Sequence, residues 1–318
     1  MTTETYFDKW AEGLSPEITV ADAGRVALQH RLQAVLDLLP LAAERSDENL
    51  EYVHLLRVWS RRSLASLILY KKVLPKKEWG CLRKKLRRIR DVAGDARDLD
   101  VLLSQIVAEK SCESKTFVVG VRRRRSKAQR PIQKCCDSMR RRSRLVKLLT
   151  KMLQTISKNG ESTPLFGIWA QDALRRVVER FHHAFPKDTH DLRSMHRFRT
   201  RVKDLRYAIE LLAPAFPTEL KDSVYPLTEE LQDSLGTIND HAVAISTLSE
   251  WFATCPNKVD RKELKKRRAH ESEQLTLSLE SFNRRWTYGE LSQLLASLMR
   301  LTETLAPFLI WAIAPYAM

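Results

Sequence analysis

Apolar residues recur at helical spacing along most of the chain. After Thr19, for example, Leu28, Leu32 and Val35 fall on one face of a helix that turns about 100° per residue. No segment shows the sustained alternation of β-branched and polar residues that is typical of strands, and only 9 glycines are spread over 318 residues. The pattern therefore predicts an all-α fold.

Nine helices are predicted from this pattern and from the residues that interrupt it. Helix breakers separate the apolar rows at Pro75, Asn159-Gly160, Pro186, Pro214, Pro217 and Pro256. The predicted helices span residues 17–46, 48–74, 76–109, 119–157, 165–186, 189–213, 217–253, 258–281 and 287–304. Long helices joined by short connections are what a four-helix bundle requires.

A basic motif occurs twice in the chain at a constant spacing. Residues 54–62, HLLRVWSRR, correspond to residues 196–204, HRFRTRVKD, which lie 142 positions later. Gly94 and Gly236 each follow the histidine of their motif by 40 residues, so no gap is needed between the copies. This agreement indicates an internal duplication of about 140 residues. We expect two tandem four-helix bundles at 17–158 and 159–304, with an N-terminal extension at 1–16 and an apolar tail at 305–318.

Each copy of the motif places basic side chains on one face of a helix. The predicted binding residues are His54, Arg57, Arg61 and Arg62 in the first copy, and His196, Arg199, Lys203, Arg206 and Tyr207 in the second. The opposite faces are apolar. Isolated surface bases are usually only solvated charges, but a row that recurs at one offset favours a binding surface.

The helix that follows Pro75 adds a second basic row in the first copy. Its members are Arg83, Arg87, Arg90 and Arg97, and Gly94 lies in the same arc. Because glycine inside a helix costs about 1 kcal/mol relative to alanine, Gly94 and Gly236 indicate either close packing or room for a large ligand. Asp98 and Asp240 are expected to orient a neighbouring arginine or histidine.

The second copy departs from the first along this helix. Glu229, Gln232 and Asn239 occupy the positions of Arg87, Arg90 and Arg97. We therefore expect the first repeat to contribute more charge to a binding site. A further basic cluster, Arg140, Arg141 and Arg144, is predicted to extend the site.

The charge balance indicates a polyanionic partner. The chain has 55 Lys and Arg against 39 Asp and Glu, a formal charge of +16, which exceeds what solubility requires. Arginine offers a planar fork of donors to phosphate oxygens, and rows of bases about 5–6 Å apart along a helix can follow a chain of charges. A flexible linear phosphate polymer fits this pattern best.

Several other chemistries are disfavoured by the sequence. The motifs of P-loop enzymes, metalloproteases, serine hydrolases and dinucleotide-binding proteins are absent. The densest acidic group, Asp91, Asp95, Asp98 and Asp100, lies among arginines, so salt bridges explain it and neither a metal nor a cofactor is expected. Two alternatives stay open: a polyphosphate or triphosphate hydrolase with His54 or His196 as the acid, and a sequence-nonspecific nucleic-acid-binding protein that uses the basic residues 122–151. The few aromatic residues in the basic rows disfavour nucleic acid.

The sequence also predicts a cytoplasmic protein. Five cysteines lack the spacing of a disulfide framework or a zinc site, and residues 1–16 contain no apolar signal core. The apolar tail is shorter than the ~20 residues that span a bilayer and contains Pro307 and Pro315. We therefore expect no transmembrane segment.

At these residues the sequence resembles the CHAD family, the conserved histidine α-helical domain. The resemblance covers about residues 17–304 and is carried by His54-x-x-Arg57-x-x-x-Arg61-Arg62, Gly94-x-x-Arg97-Asp98, His196-x-x-Arg199-x-x-x-Lys203-x-x-Arg206-Tyr207 and Gly236-x-x-Asn239-Asp240. It implies two four-helix bundles related by pseudo-two-fold symmetry, with a basic groove or pore that binds inorganic polyphosphate. Such domains are binding or targeting modules of polyphosphate granules, and some are fused to a CYTH triphosphatase, whose Glu-x-Glu-x-Lys motif is absent here. We therefore predict non-enzymatic polyphosphate binding, with phosphate or sulfate ions able to occupy the same site.

Overall fold

The fold is entirely helical in the part of the chain that the structure describes. The computed structural model describes residues 8–108, 115–140, 144–159 and 163–303, and these ranges contain ten α-helices and no β-strand. The helices are α1 (Val20–Glu44), α2 (Glu51–Leu69), α3 (Lys76–Ala108), α4 (Lys115–Arg140), α5 (Arg144–Asn159), α6 (Phe166–His182), α7 (Leu192–Leu212), α8 (Tyr225–Thr254), α9 (Lys258–Arg285) and α10 (Tyr288–Glu303). The predicted all-α class is confirmed.

The chain divides into two compact units. Unit 1 comprises Met1–Leu14 and Ile18–Thr163, and unit 2 comprises Ser15–Glu17 and Pro164–Met318. Unit 1 holds α1 to α5 and unit 2 holds α6 to α10, so the helices of the two motif copies occur in the same order. The predicted pseudo-two-fold symmetry and basic groove or pore stay predictions, and the apolar tail at 305–318 lies outside the described residues.

Unit 1 is a bundle in which α2 lies opposite α4 and α5. The Oγ1 atom of Thr19 caps α1 by accepting the N–H of Asp22 at 3.1 Å. The predicted apolar face of α1 is fully buried, including Leu28 and Leu32. Helices α1 and α3 both pack against α2 on one side and against α4 and α5 on the other. The outward faces of α2 and α4 therefore point in different directions.

The helix predicted at 119–157 corresponds to α4 and α5 of the structure. Residues 141–143, which connect the two, lie outside the described residues. Met139 and Leu145, on either side of this gap, are both buried. The prediction of four helices in the first repeat stays a prediction.

Unit 2 combines a compact bundle with a long helical pair. Helix α7 packs between α6 and α8, and α10 packs on α6. A short π-helix, Leu220–Val224, leads into α8, where the sequence predicts one helix from residue 217. Helix α9 packs along α8, and their contact includes the pair His241–Glu271 at 2.6 Å.

None of the helices within the described ranges combines the length and apolar character needed to cross a membrane.

Candidate anion-binding site

The motif of unit 1 is organised around an ion pair between α2 and α3. Arg57 donates from Nη1 to Oδ1 of Asp98 at 2.7 Å, and the arginine side chain is 23% exposed. A methyl group on Gly94 would lie 3.6 Å from Cζ of Arg57, which is an ordinary van der Waals distance. Asp98 therefore orients a neighbouring arginine, as the sequence predicts.

His54 lies one turn before Arg57 and is half-buried. Its surroundings include Arg97 of α3, whose Nη1 lies 3.5 Å from Oε1 of Glu51. Burial lowers the pKa of the His54 imidazole, nearby Arg97 lowers it further, and Glu51 opposes both effects. These effects favour the neutral form of His54 in the free protein, whereas an anion beside it would favour the protonated form.

The basic row of α3 differs in exposure along its length. Arg83 is half-buried, with Cζ 5.2 Å from the ring centre of Trp79, whereas Arg87 is exposed. Arg90 is half-buried and donates to Asp91 at 2.6 Å. Together with Arg97, these residues lie on the helix that supplies Asp98 to Arg57. The structure thus places the α3 row beside the α2 motif.

The acidic cluster of α3 is divided between surface and core. Asp98 faces α2, whereas Asp100 is buried and pairs with Arg125 of α4. Burial raises the pKa of Asp100, although Arg125 opposes the shift. Gln129 extends this buried network by accepting from Arg125 at 2.9 Å and donating to the carbonyl of Ala42 at 2.7 Å. Among the described residues no group of three or more His, Cys, Asp or Glu could hold a metal ion.

The second copy keeps the pairing of arginine and aspartate but changes its neighbours. Arg199 of α7 lies 3.7 Å from Asp240 of α8, as Arg57 lies against Asp98. His196 contacts Asn239, with Nδ1 and Oδ1 2.9 Å apart, and Asn239 stands where the first copy has Arg97. No atom lies within 4 Å of a methyl group built on Gly236. The expected orienting role of Asp240 stays a prediction, because the two groups are close but do not form a hydrogen bond.

Arg206 is held in an internal network. Its Nε donates to the Tyr225 hydroxyl at 3.0 Å, and its Nη2 donates to Glu229. Tyr225 in turn donates to the fully buried Glu210 at 2.9 Å, and Arg206 itself lies 3.8 Å from Glu210. Burial opposes the charge of Arg206, but Tyr225 and the two carboxylates outweigh it and raise the pKa of the guanidinium. Its charge is already balanced within the protein.

Two predicted residues lie in the core, away from the exposed basic face. Arg62 and Tyr207 are each 8% exposed, and Cζ of Arg62 lies 5.0 Å from the ring centre of Trp59. Each follows a residue of the basic face by one position, about 100° around the helix, which turns it towards the interior. Arg61 and Lys203 are half-buried on the expected face.

The additional cluster at the end of α4 is only partly described. Arg140 is exposed and pairs with Glu44 of α1. Arg141 lies outside the described residues, as does the side chain of Arg144.

A second cationic surface in unit 2 is not predicted from the sequence. Residues at the end of α6, in the connecting segment and in the first half of α7 line a cleft of about 750 Å³, and His196 is among them. Its bases are scattered in sequence, at positions 180, 187, 197 and 201, so no helical row identifies them.

Comparisons with known proteins agree with this architecture. The family model described as the CHAD domain matches residues 26–249. The crystal structure of the CHAD domain from the plant Ricinus communis is similar with a TM-score of 0.65 and 19% identity, covering 94% of this chain and 96% of that one. PptA from Streptomyces chartreusis is similar with a TM-score of 0.58 and 16% identity, covering 85% of this chain and 99% of that one. No curated protein sequence matches the chain significantly.

Proposed function

Because the chain belongs to the CHAD domain family, we propose that it binds inorganic polyphosphate through the two motif copies, without catalysing a reaction. The observation that carries the proposal is the repeated pairing of a motif arginine with an aspartate of the next helix, Arg57 with Asp98 and Arg199 with Asp240. In unit 1 the guanidinium donates a hydrogen bond to the carboxylate at 2.7 Å, and in unit 2 the two groups lie 3.7 Å apart. The same arrangement, built twice, supports recognition of a ligand that itself repeats.

The physical basis is electrostatic capture of a linear chain. A guanidinium presents paired donors to phosphate oxygens, and the half-buried arginines of α2 and α3 lose little side-chain freedom on binding. Polyphosphate carries its charge on a flexible chain that has no nucleobases, so its binding requires no aromatic side chains for stacking. We expect such a protein to associate with polyphosphate granules.

Phosphate release distinguishes binding from hydrolysis. A hydrolase would need a general acid that carries a proton at the working pH, and His54 and His196 are the candidates for that role. The hydrolase alternative predicts phosphate release that His54→Ala abolishes. Our proposal predicts no release above the blank from either protein.

The test is a titration of labelled long-chain polyphosphate with wild type and with the double variant Arg57→Glu, Arg199→Glu. At about 1.5 kcal/mol for each charged hydrogen bond lost, we expect affinity to fall by roughly 100-fold or more. Lys258→Glu with Arg284→Glu makes the same change of charge at exposed positions on α9 and serves as the control. An equal loss in both variants would refute a role for the motif arginines.

Nucleic acid is a second candidate because α4 carries an exposed basic row. Arg123, Lys127, Arg130 and Lys134 lie at i, i+4, i+7 and i+11, on the side of α4 opposite the buried Val121 and Ile132. No ion pair joins these four bases to a carboxylate within the described residues. The row can contact a duplex backbone without reading sequence.

A competition experiment separates the two candidates. Labelled long-chain polyphosphate is displaced by unlabelled polyphosphate, single-stranded DNA or duplex DNA at equal phosphate concentration. Polyphosphate should compete best, and Lys127→Gln with Lys134→Gln should weaken only the binding of DNA. Equal or tighter binding of DNA by the wild type would reject the preference for polyphosphate.

A further inference from the structure

The cleft of unit 2 gathers cations from three parts of the chain. It lies between the end of α6, the connecting segment 183–191 and the first half of α7, and its volume is about 750 Å³. Its basic residues are Arg180, His183, Lys187, His196, Arg197 and Arg201, all of them exposed. The cleft is thus open to solvent and lined on several sides by positive charge.

The carboxylates of the cleft are already used in local turns. Asp188 accepts the N–H of His190 at 2.8 Å. Asp191 caps α7 by accepting from the backbone of Arg193 at 3.0 Å and from the hydroxyl of Ser194 at 2.7 Å. Arg201 is itself paired with Asp204 at 2.8 Å, which leaves Arg180, Lys187 and Arg197 facing two carboxylates that are occupied by hydrogen bonds. The balance favours an anion.

Most of these bases have no equivalent in the first motif copy. The positions 142 residues before Arg180, Arg197 and Arg201 hold Leu38, Leu55 and Trp59. The second copy, in turn, lacks the arginines of the α3 row. Compared with unit 1, unit 2 therefore has fewer basic residues on the side of its motif helix that faces the next helix, α8, and more on the side that faces the preceding helix, α6.

His196 connects the cleft with the motif face. It lines the cleft, and its Nδ1 also lies 2.9 Å from Asn239 of α8. Thr200, one turn further along α7, lines the cleft as well. A ligand in the cleft would therefore lie next to one that follows the motif of α7.

We propose that this cleft is a second anion-binding site, specific for a short run of condensed phosphate groups. The ligand is either a free oligophosphate or part of the same long chain that binds the motif. The identity of the ligand rests on the proposed function, whereas the presence of an anion site rests on the geometry of the cleft. Arg180 and Lys187 supply charge from outside α7 and orient the ligand towards His196.

The experiment probes the cleft directly with tripolyphosphate. Ring signals of His183 in two-dimensional nitrogen–proton spectra are assigned with His183→Gln and followed during titration of the full chain. The cleft variant is the double substitution Arg180→Gln, Lys187→Gln, which leaves every residue of α7 unchanged. We expect it to need roughly 5- to 10-fold more tripolyphosphate than the wild type for half of the His183 response, because each exposed charge pair contributes up to ~1 kcal/mol. Lys258→Gln with Arg284→Gln removes the same charge on α9 and should titrate like wild type.

The outcomes separate the cleft from the proposed function. A His183 signal that does not respond, or that responds equally in the cleft variant and the control, overturns the cleft site even if Arg57→Glu, Arg199→Glu abolishes long-chain binding. A His183 response that is weaker in the cleft variant than in the control supports the site. This holds even if Arg57→Glu, Arg199→Glu binds long chains normally and the proposed function fails. Circular dichroism confirms that each variant is folded.

A second arm identifies the source of the phosphate groups. Long-chain polyphosphate is titrated against the same His183 signal at matched phosphate concentration. A response to both ligands supports a site that takes part of a long chain. A response to tripolyphosphate alone supports a site for free oligophosphates.

Discussion

The pairing of a motif arginine with an aspartate of the next helix recurs in both units. Asp98 and Asp240 are more than half exposed, so each pair contributes up to ~1 kcal/mol to stability. The main effect of the pairing is on the orientation of the arginine side chain. Without the carboxylate, Arg57 could turn along the helix surface, and a bound chain would have to order it at an entropic cost.

His54 should make binding depend on pH. Its pKa is lowered by burial and by Arg97 in the free protein, and a polyanion nearby offsets that repulsion and raises it. The complex therefore binds more protons than the free protein, and affinity increases as pH falls. We expect polyphosphate to bind roughly three- to tenfold tighter at pH 5.5 than at pH 7.5, since one pKa unit corresponds to a factor of ten.

The measurement is polyphosphate affinity at several pH values, together with proton uptake from calorimetry in two buffers. His54→Gln should lose much of the pH dependence, whereas His270→Gln on α9 should retain it. A wild-type affinity that is unchanged between these pH values contradicts the inferred proximity of the ligand to His54.

Arg206 should contribute to stability more than to binding. Its side chain is 14% exposed and contacts Glu210, which is fully buried. Because removing one partner of a buried pair leaves an uncompensated charge, Arg206→Gln should lower the free energy of unfolding by about 3 kcal/mol. Urea denaturation of the variant and the wild type measures this difference.

Lys203→Gln is the matched comparison for Arg206→Gln, since it removes one charge from the same motif. It should leave stability nearly unchanged and weaken polyphosphate binding. If instead Arg206→Gln keeps wild-type stability and loses affinity, Arg206 belongs to the binding surface.

Among the helices, α3 and α8 each carry a glycine near the motif without a packing need for it. A methyl group on Gly94 would make an ordinary contact with Arg57, and one on Gly236 would meet no atom within 4 Å. Glycine therefore costs helix stability at both positions, and at Gly236 it leaves space beside the motif. We attribute that space to the bound chain.

Gly236→Ala tests this explanation. The free protein should become more stable by up to ~1 kcal/mol because alanine favours the helix, while polyphosphate affinity should decrease because the methyl group occupies space needed by the ligand. Gly289→Ala, in α10, should leave affinity unchanged. Thermal unfolding and polyphosphate titration measure the two effects, and unchanged affinity in Gly236→Ala would show that the space is not used.

For the molecule as a whole, the net charge of +16 raises the question of whether binding needs specific residues at all. If the motif arginines contact phosphate, Arg57→Gln with Arg199→Gln should lower the slope of log affinity against log salt by roughly 1.5, at ~0.7 per contact on a single chain. Lys258→Gln with Arg284→Gln has the same net charge and should keep the wild-type slope. Equal slopes for both variants would assign binding to net charge.

The sequence predicts most helices because each has an apolar row that needs a partner. It also predicts the pairing of Asp98 with an arginine, because opposite charges on neighbouring helices of a duplicated unit attract. It does not predict the burial of Arg62 and Tyr207. A rotation of about 100° separates an exposed position from a buried one, and neighbouring helices decide where that boundary lies.

Fold class, the internal duplication and the main basic residues follow from the order of side chains along single helices, because periodicity is a local property. Three other features do not follow from that order. They are the network of Arg206, the separation of Asp100 from Asp98, and the cleft around Arg180 and Lys187. They depend on which helices pack together and on the path of a connecting segment, and those contacts form only in three dimensions.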